Sequence, residues 1–380
     1  MTHVFVVDDT TFKYHLEYMF AGTGAKDKLS TFLTAPQVQM FPSPTERNLV
    51  SMIADISRVR VGDNIIFYLQ ATKNHEGMFF GVFCATSDAF FDENDEKNYL
   101  MDKLHKGLSF RVLIEPKEVY SVGVTEHELL DDIGLWRDSY RLCWSLIYRK
   151  LKGNRGCTMI MDYEYKNLLT LLQAKNHDVV LSDSGFTYDM THSTIINASR
   201  NNYKGRQNSI DITDRLLYKA LGHKAFECHL QTFIIQQLAS KERTMYELFD
   251  IDPNIPIWLG NEVACGVGMQ RIDILIIQEI DKHVKIIPIE LKDEEPYPNV
   301  FDQIDWYVKW IRQYVVPNYC ARDGHLEIIP YIVAKEKCSL EFLDALKDYE
   351  TKHNRSFSIS PCHYIGFKID NNGIVFNQQV

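Results

Sequence analysis

The sequence has no surplus of positive charge, no cysteines paired at metal-binding spacing and no apolar run long enough to span a membrane, and each absence removes a class of function. A formal net charge of -10 argues against a polycation that coats nucleic acid and leaves phosphate contact to local basic clusters. It does not oppose a carboxylate site that takes a divalent ion, because such a site counts as negative until the ion arrives. The eight cysteines are scattered from Cys84 to Cys362 without a CxxC pair, which excludes zinc-ribbon spacing. The opening MTHVFVVDDTTFKYH is strand-like and lacks the basic-then-apolar order of a secretory leader. Reduced thiols and a cytoplasmic location are therefore expected. With no run near the roughly 20 apolar residues of a spanning helix, no membrane partner is expected. No GxSxG elbow occurs. GVGMQR (266–271) has glycines but neither the following Lys-Ser nor a helix, so it reads as a turn rather than a phosphate loop. His75, His105, His127, His177 and His192 fall at no ligand spacing.

What the sequence does hold is core. Its 380 residues are 45% hydrophobic and 12% aromatic, enough for two or three ordinary domains with full-sized cores. Residues 1–172 read as β-rich with a few helices: strands at VFVVD (4–8), VGDNIIFYLQ (61–70), MFFGVFCATS (78–87) and LSFRVLIEPKEVYSV (108–122), and helices at 43–57 and 162–173. RLCWSLIYRK (141–150) has no clear period. The acidic run DENDE (92–96) reads as a solvated loop. Residues 173–210, rich in Ser, Asn, Thr and Asp, read as a connector. From 211 the pattern is a helix broken near Gly222, strands at 255–264, 270–280 and 283–293, a helix at 300–315 ended by Pro317, a strand at 326–335, a helix at 339–353 and a final hairpin about Asn371-Asn372-Gly373. A strand following a helix suggests a parallel neighbour in a mixed sheet.

The chemistry concentrates in QRIDILIIQEI followed by HVKIIPIELKD. Alternation puts Glu290 and Lys292 on one face with Leu291 opposite. A hairpin about Asp281-Lys282 brings Asp273 toward Glu290. Two carboxylates and an ammonium at one spot suit phosphodiester hydrolysis. The carboxylates hold Mg²⁺, with Mn²⁺ accepted in its place, and the lysine orients water or meets developing charge. An acid and a lysine two apart on a strand are more often a solvated ion pair. Here IIPIELKD is apolar on both faces up to the charges, which marks a central strand where such groups are costly unless used.

The segments RIDILIIQ (271–278), IPIELKD (287–293) and QIDWYVKWI (303–311) resemble the PD-(D/E)XK nuclease superfamily, in the branch of NucS-type and RecB-like nucleases. The resemblance covers roughly residues 211–335. It implies an αβββαβ mixed sheet flanked by helices, with catalytic residues Asp273, Glu290, Lys292, Gln303 and Tyr307, the last two one helical turn apart. Glu227 stands where the family carries a helix glutamate, and Glu262 is a rival third carboxylate. The metal falls to Asp273 and Glu290, with the Leu291 carbonyl added. Ile272 stands where many relatives carry Pro.

In the first half VGDNIIFYLQ, FFGVFCATSDAFFD, FRVLIEPKEVYSVGV and the segment WSLIYRKLKGNRGCTMIMDYEYKNLLTLL resemble the EVE and PUA-like group. That resemblance implies a PUA-like β-barrel with helices that reads nucleic acid, with an aromatic pocket for a flipped base. Tyr68, Phe83, Trp136, Trp144 and Tyr148 are candidate walls, each more readily read as core. Arg137, Arg141, Arg149, Lys150, Lys152 and Arg155, interleaved with Trp144 and Tyr148, form a basic stretch suited to phosphate. Arg200, Lys204 and Arg206 form a weaker one. The expected whole is a two-domain α+β DNA endonuclease of restriction or defence type, acting on double-stranded DNA, with repair of mismatched or damaged DNA and a silent nucleic-acid adaptor as rivals. Cutting both strands takes two centres, which leaves room for a homodimer.

Overall fold

The computed structural model describes residues 1–24, 31–38, 43–92, 99–130, 138–147, 156–266, 270–281, 283–319, 325–353, 359–371 and 373–378. The chain divides into two compact units, Met1–Ile210 and Asp211–Val380, each of mixed α and β structure. Among the described residues no helix is long and apolar enough to cross a membrane.

The first unit is built on β1 (Thr2–Val7), β2 (Phe20–Thr23), β3 (Asn64–Leu69), β4 (Met78–Ala85), β5 (Phe90–Phe91), β6 (Phe110–Pro116), β7 (Val124–Thr125) and β8 (Cys157–Ile160). They form one sheet in the order β2-β6-β4-β3-β1-β8, with β5 on β6 and β7 on β4. β1 runs parallel to β3, and its other neighbour β8 is antiparallel. Asp8 explains why β1 turns at once into the helix Asp9–Tyr18. Its carboxylate accepts from the Thr11 amide at 2.8 Å, while the Thr11 hydroxyl accepts from the Asp8 amide at 2.9 Å. The sheet stops short of the closed barrel expected. Among the described residues edge strands β2 and β8 do not pair, and a Cβ on Gly156, just before β8, would lie 2.5 Å from Thr23 Oγ1.

Residues 173–210 are not a free connector. β9 (Phe186–Asp189) and β10 (Thr194–Asn197) pair as a hairpin, and Tyr188 packs on Phe12 of the first helix with ring centres 5.1 Å apart. Further along, Tyr203 and Arg206 are tied to a buried ion pair. Arg111 and Asp92, both without solvent exposure, meet at 2.8 Å. Arg111 also donates to the Tyr203 hydroxyl at 2.9 Å and to the Tyr99 carbonyl at 2.6 Å, while Asp92 accepts from the Arg206 amide at 3.1 Å. Polar composition suggested a linker, but burying one ion pair needs partners for all its donors and acceptors, and this segment supplies them. Asp92 is thereby no part of a solvated acidic loop, and residues 93–96 lie outside the described residues.

The second unit is a seven-stranded mixed sheet. Two helices, Thr213–Leu221 and Glu227–Ala239, replace the single broken one read from the sequence. Then come β11 (Ile257–Ala264), β12 (Arg271–Ile280) and β13 (His283–Leu291), a helix Val300–Trp310, β14 (His325–Ile328), β15 (Tyr331–Lys335), a helix Leu340–His353, and the hairpin of β16 (His363–Asp370) and β17 (Gly373–Gln378). The order is β11-β12-β13-β15-β16-β17, with β14 beside the start of β13. β13, β15 and β16 run parallel, and β12 is antiparallel to β13. Ile329-Pro330 splits the single strand expected at 326–335, because proline cannot donate to the ladder. Pro317 does not end the preceding helix. A π-helical turn at Ile311–Val315 widens the backbone and the helix continues through Val316–Tyr319.

Helices cover both faces of this sheet. Phe226 and Phe233 pack on Phe367 and Phe376, while Phe342 packs on Tyr364, an odd number of residues from Phe367 and so on the opposite face. Double-sided burial explains why β12 and β13 are nearly continuous in Ile and Leu. In the first unit, Asp92→Ala leaves Arg111 as an uncompensated buried charge. It is expected to cost about 3–5 kcal/mol in urea unfolding followed on the full chain. A cost below about 1 kcal/mol, the scale of an exposed pair, would show that the pair does not anchor the unit.

Candidate active site

The site lies at the end of β13. β12 and β13 pair as far as Ile280 opposite His283, and Asp281 just beyond has φ 53°, a left-handed conformation that Asp tolerates. The same register pairs Ile274 with Ile289, and one further step sets Asp273 opposite Glu290. Glu290 is 2% exposed and Leu291 fully buried, whereas Asp273 and Lys292 are partly buried.

Each carboxylate has assigned donors. The Leu291 amide donates to Asp273 Oδ2 at 2.8 Å. Lys292 Nζ donates to Glu290 Oε1 at 2.5 Å, and the Tyr307 hydroxyl lies 2.6 Å from Glu290 Oε2 and 2.8 Å from the Arg271 carbonyl. The electrostatics follow. Burial, and then the neighbouring charge of Glu290, lift the Asp273 carboxyl well above the usual carboxylate range, against the pull of the Leu291 amide. Burial alone would lower Lys292, but Glu290, Asp273 and Glu227 hold its ammonium above the ordinary lysine value. Lys292 is thus a fixed cation rather than a base. Burial with the same two carboxylates pushes the Cys265 thiol up to about 12.

Glu227 opens the helix Glu227–Ala239, and its charge is felt at both Asp273 and Lys292. That helix has no capping side chain of its own. Asp293, just after Lys292, supplies one by accepting from the Phe226 and Glu227 amides at 2.7 and 3.2 Å. A second clamp is Gln231, whose side-chain amide donates to the Asp273 carbonyl at 2.7 Å. Sequence reading missed Asp293, Gln231 and Cys265. Of these only Asp293 left a signal: a helix that begins KAFECH without Ser, Thr, Asp or Asn at its cap needs a donor-satisfying group from elsewhere.

Of the helix pair, Tyr307 is buried against Glu290 while Gln303 is exposed one turn earlier. Among the described residues Gln303 joins none of the hydrogen bonds just named. Glu262 has φ 45° and forms an ion pair with Arg271, so the rival third carboxylate is already engaged. Trp306 is 45% exposed, and its indole donates to the Cys265 carbonyl at 3.2 Å. Among the described residues no group of three or more His, Cys, Asp and Glu side chains could hold a metal ion.

In the first unit Tyr68 is buried with its hydroxyl 2.9 Å from Glu126, and Phe83 is fully buried. Both are core residues rather than pocket walls. Arg141 is exposed with its guanidinium over Tyr140, and Trp144 is partly buried with its indole donating to the Ser139 carbonyl at 3.2 Å. Trp136, Arg137, Tyr148, Arg149, Lys150, Lys152 and Arg155 lie outside the described residues.

No family description and no curated protein matches the chain. Solved structures do at low similarity. A hypothetical protein from Leishmania major is 14% identical with a TM-score of 0.29, over 46% of this chain and 95% of its own. A protein from Pseudomonas putida is 13% identical with a TM-score of 0.27, over 45% and 99%. Human THYN1, solved in complex with DNA containing 5-methylcytosine, is 10% identical with a TM-score of 0.23, over 45% and 97%.

The raised Asp273 carboxyl gives a pH test. The folded chain binds that proton more tightly than the unfolded one, so the group's contribution is full below about pH 4 and is lost as pH rises through the raised value. Asp273→Asn removes the penalty. At pH 8 the variant should be more stable than the parent, by about 1.4 kcal/mol for each pKa unit of the shift, and the gap should close toward pH 4. Thermal unfolding across that range checks it, and a variant less stable at pH 8 would contradict the charge penalty.

Proposed function

We propose that the chain is a metal-dependent phosphodiester hydrolase, a DNA endonuclease of the PD-(D/E)XK type. In it Asp273, Glu290 and Lys292 cut, and a PUA-like unit, Met1–Ile210, reads the target. The observation that carries this reading is the opposition of Asp273 and Glu290 at the end of a strand buried on both faces, with Lys292 on the same face. Like charges at such a place are costly unless something neutralises them. The helix, three strands, helix and strand that frame them agree with the αβββαβ order of the resemblance. A restriction or defence role suits a reader joined to a cutter, with double-stranded DNA as the substrate.

Two carboxylates in a partly open site fit Mg²⁺ or Mn²⁺, hard ions that use one or two carboxylates and keep several waters. Asp273 and Glu290 would hold the ion, and the Leu291 carbonyl would add a further oxygen. When bound, the ion makes a water nucleophilic and offsets phosphate charge. The protein's own residues do the rest. Lys292, held as a cation, meets charge developing on phosphate oxygen. Tyr307 fixes the second oxygen of Glu290, and the Leu291 amide fixes one oxygen of Asp273, leaving the other free to ligate. Asp293 and Gln231 keep Glu227 beside the pair.

Two measurements test this. Titrating Mg²⁺ should raise the unfolding temperature of the parent chain by mass action but not that of Asp273→Asn. Incubation with Mg²⁺ or Mn²⁺ and a panel of plain, single-stranded, mismatched and base-modified DNA should give cleavage that Glu290→Ala and Lys292→Met reduce by about 100-fold or more. Undiminished cleavage by Glu290→Ala would sink the assignment. Tight binding without any cleavage by the parent would favour an adaptor.

A further inference from the structure

β17 (Gly373–Gln378) is the outermost strand on its side of the second unit's sheet. It pairs with β16 without interruption, from Asp370 opposite Gly373 to Ile365 opposite Gln378, and among the described residues no other backbone group bonds to it. Its outer row of amides and carbonyls is therefore a template for another strand. Proteins commonly blunt such an edge with charge, proline, a bulge or irregular backbone. The opposite edge of the same sheet is blunted in this way. Pro256 immediately precedes β11, and Glu262 within it has φ 45° and carries a charge that pairs with Arg271. β17 has none of these devices. Its sequence GIVFNQ holds neither charge nor proline, and its ladder is regular.

The side chains of this edge are only half covered. Alternation puts Ile374 and Phe376 on one face and Val375 on the other. Val375 is 56% exposed. Phe376 packs on Phe233 and Phe367 with ring centres 6.4 and 6.2 Å away, yet it and Ile374 stay partly exposed. An identical strand laid antiparallel, about a twofold axis normal to the sheet, keeps every residue on its own face. Centred on Val375, it sets Val375 against its twin and Ile374 against the partner's Phe376. Apolar groups then meet on both faces and no like charges are opposed.

We propose that β17 is a dimerisation edge whose occupant is β17 of a second copy of this chain, antiparallel and centred on Val375. The sheet of the second unit then runs unbroken through both copies. The contrast between the two edges explains why the pairing closes. Joining β17 of one copy to β11 of the next would build an open filament, and Pro256 and Glu262 oppose it. Joining β17 to β17 uses the open edge of both copies and stops at two. An edge of this kind left unmatched is an aggregation hazard, which self-pairing removes. The proposal stands apart from the nuclease reading. On that reading, the twofold axis also supplies the second centre that cutting both strands takes.

Sedimentation equilibrium of the full chain across a dilution series should show a monomer–dimer equilibrium. Val375→Lys opposes two ammonium groups across the axis and should weaken the dimer about tenfold or more. Val179→Lys, at a valine of the first unit that is 66% exposed, should leave it unchanged. Both variants should unfold at the parent's midpoint when all three are dilute enough to be monomeric. Val375→Cys gives a direct reading of the register. Residues opposite each other in an antiparallel pair have Cα atoms about 4.5–5.5 Å apart, inside the disulfide range of roughly 4.4–6.8 Å. Mild oxidation should therefore cross-link this variant into a dimer that the parent chain does not form and that reductant reverses. A parent that is monomeric throughout, a dimer that Val375→Lys leaves intact, or a dimeric Val375→Cys chain that does not cross-link overturns the proposal.

Discussion

The second unit is organised by the repulsion between two carboxylates that the sheet forces to face each other. Like charges in close, buried opposition repel by an amount that is a sizeable part of what stabilises a domain, and burial with the Glu290 charge lifts the Asp273 carboxyl well above the usual carboxylate range. The surroundings supply donors to both side chains. One oxygen of Asp273 takes the Leu291 amide, and the oxygens of Glu290 take Lys292 and Tyr307. The helix Glu227–Ala239 then brings a third carboxylate close and is clamped there by Asp293 and Gln231.

Everything in that arrangement depends on register. The pairing that runs to Ile280 opposite His283 counts out the hairpin, and a slip of one residue would send Asp273 to the opposite face, away from Glu290 and Lys292. Burial on both faces does not resist the slip, because Ile and Leu line both sides of β12 and β13. The Asp281 conformation and the polar groups at the far end do. Buried Gln278 adds to this, donating to the Asp252 and Ile255 carbonyls at 2.9 and 3.2 Å. Displacing it by one position would leave those groups unsatisfied at about 1–3 kcal/mol each.

This explains what the sequence could and could not tell. RIDIL, IELK and the intervening turn are local, and period-2 alternation placed Asp273, Glu290 and Lys292 together without knowledge of the rest. Gln303 and Tyr307 were read as equals because they are one turn apart, yet only Tyr307 is turned inward. Helical spacing gives a shared side, not the depth each residue reaches. Asp293 and Gln231 act on segments 66 and 42 positions away, and no local pattern encodes such partners. The supposed connector failed for the same reason. Its Tyr203 and Arg206 look like loop residues until Arg111 and Asp92, far earlier in the chain, are seen to need them.

The two units thus bury charge in opposite ways, and the contrast separates scaffold from site. In the first, Arg111 meets Asp92 and spreads its remaining donors over the carbonyls of Tyr99, Gly107 and Leu108 and the hydroxyl of Tyr203. Opposite charges are matched, donors are satisfied and neither side chain is exposed, so nothing is left for a ligand to do. In the second, the buried Glu290 pairs with an ammonium that is still 28% exposed, and the Asp273 carboxyl opposite it is held well above the usual carboxylate range. A fully paired buried cluster fixes a fold, whereas an unbalanced one that opens to solvent stores a preference for whatever restores the balance. On the nuclease reading proposed above, that partner would be a hard cation brought together with phosphate.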